Sequence, residues 1–248
     1  MIISIVNQSE RTLHDADLQA GIRAVNRQLQ FDFAPYWGFG AQLRLEGKRG
    51  RNDKFDPADV RGDAVLYVLP RKGADDDGFH TANLQGIPYG FVYLDVATKL
   101  DEDWSVTLSH EALELVGDPE LNMLVKGPHP EEDRDVYHWF EMCDAVQNES
   151  YAIDGIHVSN FVLPLYFTSS GERGGRNDFL GTVTHGKTLE SFKANPGGYI
   201  NYFDPKLGED TDWEPKSARS RERLQMKKAL VVGRGQRRRG SGSGAVTV

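Results

Sequence analysis

The segment Trp104–Glu120 (Trp-Ser-Val-Thr-Leu-Ser-His-Glu-Ala-Leu-Glu-Leu-Val-Gly-Asp-Pro-Glu) constrains the fold more than any other stretch of the chain. Trp104, Val106, Leu108, Leu113, Leu115 and Val116 make it too apolar for a surface helix, yet it carries His110, Glu111 and Glu114. Buried charge is costly unless it is paired or bound to a metal. On a helix, positions i and i+4 stack on one face. His110 and Glu114 can therefore aim an imidazole nitrogen and a carboxylate at one point, as two ligands of one metal ion. Glu111, about 100° round the helix from His110, is placed to activate a metal-bound water. Gly117 and the Asp118-Pro119 pair predict a sharp helix stop one turn after Glu114.

A chain of 248 residues with 39% hydrophobic residues, including 12 Phe, 9 Tyr and 4 Trp, can pack a sizeable core around such a helix. No apolar run reaches the ~18 residues of a membrane span, so no membrane association is expected. The start, Met-Ile-Ile-Ser-Ile-Val-Asn, lacks a basic leader and reads as a strand rather than a secretory signal. One cysteine, Cys143, excludes an internal disulfide framework and suits a reducing compartment, so a cytoplasmic (or particle-associated) location is expected. Its neighbour is Asp144 and no Arg or Lys is close in sequence, which favours a buried small hydrophobe over a nucleophile.

Further elements follow from periodicity and breakers. Strands are expected at Ile2–Val6, Ala41–Glu46, Ala64–Pro70 and Ile87–Val96. A helix is expected from Asp15 to Leu29, where Leu18, Ile22, Val25 and Leu29 recur at helical spacing with Asp15 or His14 as cap. Phe31–Gly38, broken by Pro35, reads as an ordered aromatic turn, and the motif helix as 102–116. Loops are expected at 48–60, 72–79 and 169–177, turns at Ile153-Asp-Gly155 and Asn195-Pro-Gly-Gly198, and an extended buried segment at His157–Phe167. His185 lies in a peripheral extension, and no phosphate-binding loop or nucleotide fingerprint occurs.

The His-Glu-x-x-Glu pattern resembles the His-Glu-x-x-His helix of zinc peptidases, with Glu in place of the second His, and carboxylates are ordinary zinc ligands. Strand, helix, three strands and then the motif helix is also the order in the amino-terminal half of zincin-type metallopeptidases. In that family the strand before the active helix is commonly an edge strand beside the cleft, a place Tyr89–Leu94 would hold; alternating Tyr89, Phe91 and Tyr93 equally suit packing on a sheet face. The chain resembles more closely a group of poorly characterised bacterial and phage-borne peptidase-like proteins. The resemblance runs over roughly residues 1–170 and is carried by Ser109-His110-Glu111, Glu114, Asp118-Pro119, Glu141-Met-Cys-Asp144 and Asp32-Phe-Ala-Pro35-Tyr-Trp-Gly38. It implies an α+β fold, a zincin-like mixed sheet with the metal-binding helix, and a Zn²⁺ or other divalent cofactor.

A catalytic zinc takes three protein ligands and keeps a position for water. Asp118 sits at the helix stop, where turn chemistry is commoner for an Asp before Pro. Glu120 completes a metzincin-like spacing. Glu141 lies in the apolar stretch Trp139–Cys143, where an uncompensated carboxylate would be costly, and is the expected third ligand, with Asp144 as alternate or supporting partner. The chemistry implied is hydrolysis of a peptide or protein substrate, with Glu111 as general base. Tyr137, His138, Tyr151 and His157 are candidate stabilisers of the oxyanion. The alternative is a non-catalytic binding protein or phage-particle component that keeps the zincin fold with a structural metal or none. The internal Glu111 favours the enzyme, because a structural site needs no base beside its ligands.

Net charge is −8. Lys216–Gly240 nevertheless carries ten basic residues and one acidic residue, leaving −17 for the remainder. A metal-binding domain over 1–205 is therefore expected, followed by a polar linker and a disordered, basic Arg/Gly/Ser-rich tail over 206–248. Such a tail suits weak contact with nucleic acid or an acidic surface.

Overall fold

The computed structural model describes residues 1–9, 11–46, 62–71, 87–168, 175–184 and 186–215. The expected loops at 48–60 and 72–79, the segment 169–174, His185 and the basic tail from Lys216 lie outside the described residues. The architecture combines helices with parallel and antiparallel sheets, an α+β arrangement. Two compact units divide the chain, one of Met1–Glu120 with Ala152–Val158 and the other of Leu121–Tyr151 with Ser159–Val248. One metal-binding domain over 1–205 was the sequence expectation.

The first unit is built on a four-stranded parallel sheet in the order β2-β1-β3-β4, from β1 (Ile2–Asn7), β2 (Gln42–Leu45), β3 (Ala64–Leu69) and β4 (Tyr89–Tyr93). The continuous apolar runs of β1 and β3 suit a parallel sheet, and Ile3, Ile5, Leu66 and Val68 are fully buried. Helix α1 (Asp15–Arg27) buries Leu18, Ile22 and Val25, the stripe that the 3.6-residue period predicts. The chain does not then turn. A π-helix at Gln28–Phe33 runs on into α2 (Ala34–Trp37), which ends at Gly38 with φ 75°. Pro35 occupies the first turn of α2, where its missing N–H is unneeded, so it starts a helical piece rather than breaking one.

The strand expected over Ile87–Val96 is shorter than the apolar run, because Leu94 opens helix α3 (Leu94–Lys99). An apolar run alone does not separate strand from helix; Asp95 in the first turn and Lys99 in the last, 3.2 Å apart, support the helical ending. The motif helix, α4, spans Trp104–Gly117 and packs on β3, β4, α1 and α3. β4 ends the order of the described sheet, and Tyr67, Tyr89, Phe91 and Tyr93 form a ring cluster along β3 and β4.

The second unit carries an antiparallel sheet in the order β10-β9-β6-β5, from β5 (Leu124–Pro128), β6 (Asp135–Trp139), β9 (Ile200–Asp204) and β10 (Glu209–Trp213). The linker expected from residue 206 thus contains a strand, Glu209–Trp213, after a short turn. Its acids serve as acceptors that composition does not reveal: Trp139 Nε1 donates to Asp210 at 2.9 Å and Asn201 Nδ2 to Asp212 at 2.5 Å. β7 (Ser150–Ile153) and β8 (Ile156–Ser159) form a hairpin about the expected Asp154-Gly155 turn. Beyond Ser159 the segment expected to be extended instead closes into a 3₁₀ turn at Pro164–Phe167.

Two titratable groups tie this unit to pH. The Arg134 guanidinium grips Asp204 with both nitrogens, at 2.8 and 2.6 Å, and holds its carboxyl at about 2. Burial pushes His138 down to about 4, although Nε2 donates to the Pro128 carbonyl at 2.9 Å. A depressed value means stability is full above the unfolded value and is lost as pH falls towards the folded one. His138 therefore acts between pH 6.5 and about 4 and Asp204 below that window. Denaturant midpoints read by tryptophan fluorescence should fall from pH 7 to 4.5, by about 3 kcal/mol at most. His138→Phe should flatten that slope, and an unchanged slope would remove His138 as its cause.

Candidate metal centre

Helix α4 brings the sequence-predicted pair together. His110 and Glu114 are 6% and 2% exposed, and His110 Nε2 stands 3.2 Å from Glu114 Oε1. Two ligands about 2.0–2.1 Å from a tetrahedral zinc are roughly 3.3 Å apart, so this separation fits an edge of a metal's coordination shell. The helix is held at this point from a distant part of the sequence. Ser109 Oγ donates to Gln28 Oε1 at 2.6 Å, both side chains being fully buried, which fixes the residue beside His110 to the start of the π-helix. Irregular π turns recur at functional sites for this kind of positional reason.

Glu111 is half-buried and lies over β4. A Cβ at Gly90 would come within 2.8 Å of Leu66 Cδ2, and it would touch Glu111 Oε2 at an ordinary contact distance of 3.7 Å, which places the carboxylate beside the strand. Glu111 Oε2 is buried with no hydrogen-bond partner among the described residues. A carboxylate oxygen left this way is an acceptor awaiting a donor, which suits a base that takes a proton from water.

The helix stops at Gly117 as expected, with Asp118 as C-cap donating its N–H to the Glu114 carbonyl at 2.8 Å. Exposed acids are normal at a chain reversal, yet Asp118 is 1% exposed; Glu120 does face solvent.

In the second unit, Glu141 and Asp144 are 6% and 7% exposed. They are not an acidic pair facing water. Glu141 follows β6 in irregular chain and Asp144 opens a 3₁₀ turn, Asp144–Val146. Cys143 between them is fully buried, as expected. The Asn195–Gly198 turn clamps this stretch, because Asn195 N donates to Ala145 O at 2.9 Å and Tyr199 N to Asp144 O at 3.1 Å. A Cβ on Gly198 would meet Ala145 O at 2.2 Å, a distance no real side chain tolerates.

Glu141 and Asp144 line a small cavity of about 10 Å³ together with His138, Tyr166 and Asn201. His138 is neutral above its lowered value, and because a carbonyl can only accept, its proton sits on Nε2 and Nδ1 is bare. Burial pushes the Tyr166 hydroxyl well up, with the Asp144 charge adding to it, and that hydroxyl donates to Lys193 O at 2.8 Å. Of the four candidate oxyanion stabilisers, only His138 lines this cavity. Tyr137 is exposed, Tyr151 packs 5.2 Å from the Phe179 ring and His157 stands beside Asp103 at 3.5 Å.

The buried side chains of metal-ligating type include His110 and Glu114 in the first unit and Glu141, Cys143 and Asp144 in the second. Such groups could hold a metal ion. Sequence reasoning missed Gln28 and Asn201; the first is 81 positions from its partner and neither belongs to a recognisable motif. No helix among the described residues is long and apolar enough to cross a membrane. Comparison with protein-family models, with curated proteins and with solved structures gave no match.

Proposed function

We propose that the protein is a metal-dependent peptidase of zincin type. The observation that carries this reading is the buried His110–Glu114 pair, 3.2 Å apart, with the Glu111 carboxylate on the same helix turned to the Gly90 side and holding an unpartnered buried oxygen among the described residues. A structural site would need no such third acid. His110 and Glu114 are the metal ligands in this reading, and Glu141 the third, assigned from its apolar sequence setting and its burial. When bound, the metal would polarise the scissile carbonyl and make water more acidic. Glu111 takes a proton from the attacking water and passes it to the leaving amine. His138 lines the Glu141–Asp144 cavity, but its one ring proton goes to the Pro128 carbonyl, so it has none to give to an oxyanion.

The donor set bears on which metal is preferred. One imidazole and two carboxylates leave the ion less positive than a His-rich site does, so it is a weaker Lewis acid, and Mn²⁺ becomes a competitor of Zn²⁺. A peptide or protein is the substrate in this reading, while the basic tail offers a salt-sensitive contact to nucleic acid or an acidic surface.

Three measurements test the proposal. Elemental analysis of purified protein should give about one equivalent of divalent metal in wild type and far less in His110→Ala; equal metal-free preparations would sink it. Glu111→Gln should keep fold and metal while lowering hydrolysis of a peptide library by at least ~100-fold. Undiminished turnover would place the base elsewhere, and loss of the metal would make Glu111 a ligand. A metal titration should rank Glu141→Ala as more damaging than Glu120→Ala, because Glu120 is exposed and Glu141 is not; the reverse order would favour the metzincin-like spacing.

A further inference from the structure

The turn between β5 and β6, residues 129–134, is built around one histidine. His129 Nδ1 faces two backbone donors, the N–H of Glu131 at 3.1 Å and that of Glu132 at 2.9 Å. A ring nitrogen that accepts carries no proton, so this network assigns the neutral imidazole of His129 to the Nε2–H form. That Nε2 stands 3.3 Å from the Tyr202 hydroxyl on β9, to whose oxygen it donates, and the two rings meet edge to face. The backbone of the same residue closes the turn, because His129 N donates to Arg134 O at 2.7 Å.

This arrangement depends on the charge of the ring. An imidazolium donates at both nitrogens and accepts at neither. A second proton therefore sets an N–H at Nδ1 against two N–H groups, and no rotation of the ring restores an acceptor. Amide and hydroxyl caps keep their lone pairs in mild acid, so a histidine in this place makes the turn conditional on pH. The charged and titratable groups around the ring are Glu131, Glu132 and Arg134 in its own turn, His138 on β6, Tyr202 and Asp204 on β9, and Lys193, whose ammonium donates to Pro130 O. The carboxylates of Glu131 and Glu132 lower the cost of a positive ring, but they return no lone pair to Nδ1.

We infer that protonation of His129 releases the β5–β6 turn, which makes this residue an acid-triggered catch built into the second unit. The inference is independent of the metal-dependent reading above. Its reach is set by what the turn touches. Trp213 Nε1 on β10 donates to Glu131 Oε1 at 3.3 Å, and the Lys193 ammonium that holds Pro130 O also lies 5.2 Å from the centre of the Trp213 ring. Opening the turn therefore loosens Glu131 from Trp213 and Pro130 from Lys193 together.

The test is NMR of the full-length, ¹⁵N-labelled protein between about pH 8 and about pH 5. At the upper end the ring signals of His129 should show a bare Nδ1 and a protonated Nε2. As those signals titrate, the exchange protection of the Glu131 and Glu132 amides should fall by about fivefold or more. His129→Asn sets an amide oxygen in the place of Nδ1 and keeps its lone pairs, so the same two amides should stay within about twofold of their starting protection across the range. A ring proton found on Nδ1 at the upper end overturns the inference, and so does protection that survives the titration of His129 in wild type. Protection lost by His129→Asn in step with wild type also overturns it, since the loss then belongs to Glu131, Glu132 or His138. If His129→Asn does not fold, the two wild-type readings still decide.

Discussion

The first unit depends on a conflict held inside one helix. Helix α4 is apolar enough to be a core element, with Leu108, Ala112 and Leu113 fully buried, yet it carries a histidine and a glutamate into that core. Desolvating a lone carboxylate costs several kcal/mol, which places a strict demand on what surrounds Glu114. Helical geometry meets part of the demand by setting His110 one turn away at 3.2 Å. The π-helix holds the helix beside this pair by fixing Ser109 through Gln28.

The second unit answers a similar demand with different means. Glu141 and Asp144 lie in chain that is neither strand nor α-helix, where backbone groups must find partners one by one. They find them in the Asn195–Gly198 turn, which accepts no side chain at Gly198 and supplies N–H donors to the carbonyls of Asp144 and Ala145. Irregular segments fixed this closely hold side chains in set directions at a cost in local entropy. That suits acids required at defined positions better than acids that serve solubility.

Much of this was legible in the sequence where one local rule dominated. β1, β2, β3, α1 and α4 came from periodicity and from stop signals at Gly117-Asp118-Pro119. The turn at Asp154-Gly155 came from turn chemistry, whereas its flanking strands did not. The His110–Glu114 pair came from the i,i+4 relation, which is a property of the helix alone. The failures share a cause: Pro35 misled because a proline that ends one helical stretch can equally begin another. Leu94 misled because apolar runs are neutral between strand and helix, and β10 because acidic residues look solvated until a Trp139 N–H and an Asn201 amide are known to face them. Asp118 looked exposed for the same reason. Burial of a polar residue is decided by partners far away in sequence, and no window of neighbours contains them.

The donor set also explains why the chain can match the shape of a known motif while departing from its chemistry. In the proposed reading, Glu114 in place of the second histidine of a zinc helix would exchange a neutral ligand for an anion. Each such exchange lowers the net charge of the loaded site and hence its pull on the electrons of a bound carbonyl or water. Neutral donors have the opposite effect, since they fill a coordination position without spending the metal's charge. An acid-rich set of ligands would therefore leave its metal more positive with one further neutral donor than with another carboxylate. In the proposed metal-dependent reading, His110 would be such a neutral donor beside the Glu114 carboxylate, 3.2 Å away.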